Sequence, residues 1–234
     1  MKTSISRLAA AVSAGALALL LSGCLVPETV DANIALDGYA YDIEVETRLA
    51  DPRAIQALAE GHVFTEAEED RMRAQEERAA VMPGFERFTY VGEGRYDLIV
   101  NLEGDLTSGR SVLGVPNTRA RGQSDNFLTV KLLEDGIIEV SFPEIPDNAR
   151  SQLGQLGIVP RGHVSVTTTG NVLEQNADEE PGLFGSAYVW NISSWDDRVL
   201  LKVDPMAGYE TGSTAPSRTQ SRPTLTHASP STIL

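Results

Sequence analysis

The chain of 234 residues carries 33 acidic against 19 basic side chains, a formal charge of −14, and 41% of its residues are hydrophobic. That apolar share suits a folded domain rather than a disordered or membrane-embedded chain. The charge balance repels phosphate, which argues against nucleic acid as a partner and against a polybasic grip on anionic lipid headgroups.

Lys2 and Arg7 are the only charges ahead of residue 24, and they form a positive n-region. Leu8–Leu21 is uncharged and apolar. It is shorter than the roughly 20 residues that span a bilayer, and it suits the h-region of a signal peptide. Leu21-Ser22-Gly23-Cys24 follows and resembles the lipobox of bacterial lipoproteins. Small residues at 22 and 23 admit the backbone to a protease, and Cys24, the only cysteine, offers the thiol that acquires a lipid. The resemblance implies a diacylglyceryl thioether on Cys24, cleavage between Gly23 and Cys24, and a further palmitate-like acyl chain on the new terminus. At about 0.8 kcal/mol per buried methylene, two or three such chains hold a protein firmly. Leu25, not Asp, follows the cysteine. In a host with two membranes, resemblance to the sorting rule of Gram-negative bacteria implies the periplasmic face of the outer membrane. Removing residues 1–23 makes the mature chain two charges more negative. A single cysteine precludes an intramolecular disulfide, so stability must come from a packed core.

Residues 24–32 read as a tether, 33–204 as one domain, and 205–234 as a disordered tail rich in Ser, Thr and Pro. Within the domain, period-two alternation predicts strands. Tyr39, Tyr41, Ile43 and Val45 oppose Asp42, Glu44 and Glu46; Tyr96, Leu98, Val100 and Leu102 oppose Asp97, Asn101 and Glu103. Leu128, Val130 and Leu132 repeat the pattern, as do Ile138, Val140 and Phe142, then Val164 and Val166. Tyr188, Trp190 and Ile192 continue it, and Val199, Leu201 and Val203 complete it. Asp37-Gly38, Gly92-Glu93-Gly94 and Glu134-Asp135-Gly136 sit where turns are needed.

Asp51-Pro52 predicts a helix start, with Gly61 as its end. Thr65 and Glu68 make a capping box for a second helix running to Met82 and stopped by Pro83-Gly84. That helix is charged nearly all round, with Glu69 and Arg73 spaced as an ion pair. A third short helix is expected from Asp147 to Leu156, closed by Gly157. The fold expected is α+β: an antiparallel sheet of seven or eight strands with two or three helices packed on one face.

No catalytic or metal constellation emerges. Gly104-Asp105-Leu106-Thr107-Ser108-Gly109-Arg110-Ser111 approaches a P-loop, but Arg110 stands where Lys is required and no helix pattern follows. His62, His163 and His227 lack metal-ligand spacing, and Asp178-Glu179-Glu180 lacks the glycine and spacing of a calcium loop. Asn191-Ile192-Ser193 matches a glycosylation acceptor but lies inside a strand pattern. No cofactor is expected. Trp190 reads as a core residue, and Trp195, beside a turn, as a candidate for ligand stacking.

One resemblance adds to this. The segments Gly162-His163-Val164-Ser165-Val166, Gly170-Asn171-Val172-Leu173-Glu174-Gln175-Asn176, Tyr188-Val189-Trp190-Asn191-Ile192 and Arg198–Pro205 follow in order. They resemble the LppM-type lipoprotein domain: a strand, an Asn-containing turn, a Val-x-Trp strand and a final strand. The likeness extends in outline over residues 24–205. The chain departs from it in the inserted 147–157 stretch and in its Ser/Thr/Pro tail, where members often carry a membrane segment. The resemblance implies a lipid or envelope interaction and no catalytic constellation.

Three functional readings follow. The leading one is a non-enzymatic envelope lipoprotein that binds an unidentified envelope protein or lipid or supports assembly. The second is a carrier or sensor of a lipid-like ligand held in an apolar cavity lined by Tyr41, Val100, Val130, Trp190 and Trp195. The third is an envelope hydrolase with dispersed carboxylates.

Overall fold

The computed structural model describes residues 25–80, 84–108, 112–114, 127–183 and 185–207. Cys24 and its leader, Val81-Met82-Pro83, Gly109-Arg110-Ser111 and the segment beyond 207 lie outside the described residues.

Apolar–polar alternation generates most of the structure. In chain order the elements are β1 (Val26–Pro27), β2 (Thr29–Asp37), β3 (Ala40–Ala50), α1 (Pro52–Ala59), α2 (Glu66–Ala79), β4 (Phe85–Gly92), β5 (Arg95–Asp105) and β6 (Val112–Gly114). There follow β7 (Thr129–Leu132), β8 (Ile138–Ser141), α3 (Asp147–Gln155), β9 (Arg161–Thr168), β10 (Asn171–Gln175), β11 (Tyr188–Ile192) and β12 (Leu200–Asp204). The strands form two sheets. The larger runs β11-β9-β2-β3-β5-β4, with β1 also paired to β3; the smaller runs β10-β12-β8-β7-β6. All pairs are antiparallel except β2 with β9, which run parallel from Thr29↔Arg161 to Leu36↔Thr168.

The two inner faces close on one another. Val30, Ala32, Ile34, Ile43, Val45, Leu98, Val100, Val164 and Trp190 of the larger sheet share one continuous buried cluster with Val130, Ile138, Val140, Leu201 and Val203 of the smaller. The fold is thus α+β as expected, but with twelve strands in two sheets among the described residues. The larger sheet's apolar face is covered by a second sheet, not chiefly by helices.

The helices take other places. Asp51 Oδ1 accepts from Arg53 N at 2.9 Å, capping α1 as the Asp-Pro start predicts. The capping box of α2 is closed both ways, Thr65 N to Glu68 Oε2 at 2.8 Å and Glu68 N to Thr65 Oγ1 at 3.3 Å. Arg73 pairs with Glu69 at 3.9 Å and with Asp70 at 2.8 Å. This helix lies against β4, where Glu76 Oε1 accepts from Tyr90 N at 2.7 Å, and its Gln75 Nε2 donates to Tyr96 OH of the neighbouring β5 at 2.9 Å. One of its carboxylates thus occupies a backbone N–H of the edge strand β4. In α3 the cap position is Pro146, and Asp147 is the first helical residue.

The domain's boundaries are wider than the sequence suggests. Residues 25–32 are not a tether: Leu25 is 4% exposed, Val30 and Ala32 are fully buried, and β2 is a central strand. At the other end Pro205 is buried, and Met206 N donates to Asp204 Oδ1 at 3.0 Å, so the fold continues past Asp204.

Candidate functional site

The turn between β2 and β3 falls at Gly38–Tyr39, where Gly38 takes a φ of +59°. Beside it β9 leaves the larger sheet. Thr169 N donates to Leu36 O at 3.1 Å, Thr169 Oγ1 to Asp37 Oδ1 at 2.9 Å, and Gly170 N to Thr168 Oγ1 at 3.0 Å. The chain then crosses to β10 in the second sheet.

An open cleft of about 440 Å³ results, lined by Ala35, Leu36, Asp37, Ala40, Tyr41, Asp42, Thr167, Thr168, Thr169 and Ser186. Small side chains at 35 and 40 leave the room. Tyr41 forms a half-buried wall whose ring lies against Gly104; a Cβ there would stand 2.7 Å from the Tyr41 hydroxyl. Five hydroxyl-bearing residues and two carboxylates line the cleft beside Ala35, Leu36 and Ala40, a combination suited to recognition.

Of the five expected ligand-lining residues, the cleft includes Tyr41 alone. Val100, Val130 and Trp190 are at most 2% exposed and pack together in the main core. Trp195 is no open stacking platform. It packs against a second cluster of Ala50, Ile55, Leu153 and Ile158, and its Nε1 donates to Ile158 O at 2.8 Å. Sequence reasoning missed Thr167-Thr168-Thr169, Asp37, Asp42 and Ser186 as a group. The hydroxyl run ahead of Gly170 was the one local signal.

The other singled-out residues have structural roles. His62 lies 3.2 Å from Glu68, and His163 lies 2.9 Å from Asp31. In the P-loop-like segment, Asp105 Oδ1 accepts from Thr107 N at 2.7 Å and Asp105 O accepts from Ser108 Oγ at 2.6 Å, a closed local turn. Asp178 Oδ2 accepts from Asn191 N at 2.6 Å, Glu179 bridges to Val189, and Glu180 Oε1 accepts from Gln175 Nε2 at 2.7 Å. That acidic run closes the edge of β11.

Among the described residues, the carboxylates with displaced pKa values are displaced downward. Hydrogen bonds from Thr65 lower Glu68, those from Thr107 lower Asp105, and the Lys131 ammonium at 2.7 Å lowers Glu139. Burial pulls Asp197 up, but hydrogen bonds from Ser193 and Ser194 outweigh it. Among the described residues, no group of three or more His, Cys, Asp or Glu is placed to hold a metal ion. Nor is any helix among them long and apolar enough to cross a membrane.

No protein-family model matches the chain, and neither a curated protein nor a solved structure gives a significant match to it.

Proposed function

We propose that this chain is a lipid-anchored cell-envelope lipoprotein whose two-sheet domain serves a non-enzymatic binding or assembly role. The observation that carries the reading is the order n-region, h-region, Leu21-Ser22-Gly23-Cys24, with the packed core taking up the chain immediately afterwards at Leu25. The cut before Cys24 would leave every described residue of the fold in the mature chain. Lipid on Cys24 supplies membrane attachment to a protein whose net charge offers none. The LppM-type resemblance in residues 162–205 agrees with an envelope role.

A binding role is supported by the cleft at Tyr41, where hydroxyls and carboxylates converge. The carrier reading is less well supported, because Val100, Val130 and Trp190 are spent on joining the sheets.

Metabolic labelling with a clickable palmitate analogue tests the anchor. Label should enter the wild-type protein, and Cys24→Ser should lose it and accumulate as uncut precursor at the inner membrane. A labelled, normally sorted Cys24→Ser protein would remove the basis of the proposal.

A further inference from the structure

If Cys24 carries lipid, the fold dictates how the domain meets the membrane. Leu25 is buried in the main core, and Val26 and Pro27 pair with Ala50 and Leu49. One peptide unit, about 3.8 Å between Cα atoms, is all the chain left between the acylated residue and the packed body. A lipoprotein on a long tether can tumble freely; this one cannot.

The elements around that attachment point are fixed by contacts. Asp51 N donates to Gly94 O at 2.8 Å, and Gly94, in the β4–β5 turn, sits over Ala54 of α1. Val26, Ile55 of α1, Leu153 of α3, Ile158 and Trp195 form the second core cluster at the same end. Val91, two residues before Glu93 of that turn, is 46% exposed.

β3 then fixes the direction. It runs from Ala50, paired with Val26, back to Ala40, which lines the cleft. At about 3.3 Å per residue its eleven residues place the two ends roughly 33 Å apart. Charge does not set the direction: at the anchor end Arg95 is paired with Glu28 and Glu93, and Arg150 with Asp147 and Asp196.

We propose that the acyl chains on Cys24 hold the domain end-on, with the α1, α3 and β4–β5 turn end resting on the phospholipid headgroups and the Tyr41 cleft directed away from the bilayer. The inference rests on the anchor reading above. It gives the cleft a partner in the aqueous envelope space rather than a lipid drawn from the supporting leaflet.

Because Cys24 is the only native cysteine and is consumed by acylation, engineered cysteines can be labelled singly. Full-length Val91→Cys and Leu183→Cys precursors would be expressed, and the acylated products purified, labelled with an environment-sensitive fluorophore and reconstituted. The vesicles would be phosphatidylcholine and phosphatidylglycerol doped with a headgroup-nitroxide lipid. Leu183 is 97% exposed, three residues before Ser186 in the cleft wall. The Val91→Cys label should be quenched severalfold more than the Leu183→Cys label. Equal quenching, or the reverse order, in protein that carries acyl mass and floats with vesicles would overturn the orientation alone. Protein without acyl mass that fails to float would defeat the anchor, and the orientation with it.

Discussion

The Trp190 indole donates its Nε1–H to Asn176 Oδ1 at 2.8 Å, and the same oxygen accepts from Leu200 N at 2.9 Å. Trp190 stands on β11 of the larger sheet and Leu200 opens β12 of the smaller. Asn176 Nδ2 completes the arrangement by donating to Arg198 O at 3.0 Å. One side chain in the β10–β11 connection thus ties the two sheets together. Asn176→Ala should cost about 1–3 kcal/mol, because it strands the indole donor and frees the start of β12. Trp190→Ala should cost more, about 3–5 kcal/mol, through loss of buried volume. Urea unfolding of the mature soluble domain measures both; an Asn176→Ala protein as stable as wild type would mean that Asn176 does not join the sheets.

Gly162 is the close-approach point of the parallel β2–β9 pair. A Cβ there would lie 2.1 Å from Val30 O, and its φ is +138°. Gly162→Ala should therefore destabilise by at least the roughly 1–3 kcal/mol of a strained backbone residue, with the clash in addition. Amide exchange along Val30–Leu36 should accelerate in this variant. Unchanged protection there would argue against the parallel pairing.

Stability should fall on acidification, with an identifiable contribution from Asp197. Its carboxylate accepts from Ser193 N at 2.6 Å, Ser194 N at 2.8 Å and Ser193 Oγ at 3.0 Å, and its pKa is lowered in the fold. A carboxyl with a depressed folded pKa stabilises the protein above its unfolded pKa, near 3.9. That contribution is lost as pH drops through the folded value. Asp197→Asn should lower stability at pH 7 and flatten the decline below about pH 4. A decline as steep in the variant as in wild type would assign the acid sensitivity elsewhere, Glu139 being the next group to replace.

Much of this fold could be read from the residues, and what escaped has physical reasons. The long alternations of β3 and β5, the Gly92-Glu93-Gly94 turn and the Thr65–Glu68 box are local signals, and each appears in place. β2 was hidden because Ala32 and Ala35 weaken its apolar contrast and because it abuts the lipobox. Alternation marks a strand's buried face but not what covers it, so the single sheet expected is in fact two, with Thr129–Leu132, Ile138–Ser141 and Leu200–Asp204 in the smaller. The cleft is less local still: Asp37 and Thr169, bonded across its rim, are 132 residues apart in sequence.

The segment beyond Ala207 should be dispensable for folding. A chain ending at Ala207 keeps Pro205 and the Asp204–Met206 bond, and should melt within a degree or two of the full mature chain. Differential scanning calorimetry decides this. A loss of many degrees would mean that the Ser/Thr/Pro segment packs on the domain.

The anchor itself is open to one direct measurement. Protein isolated from the membrane fraction of the native host would be digested and its N-terminal peptide sequenced by mass spectrometry. The peptide should begin at Cys24, with a diacylglyceryl thioether on sulfur and an acyl chain on the amine. A Cys24 with a free thiol, whether in an uncut precursor or in a chain cleaved at another bond, would contradict the lipoprotein reading.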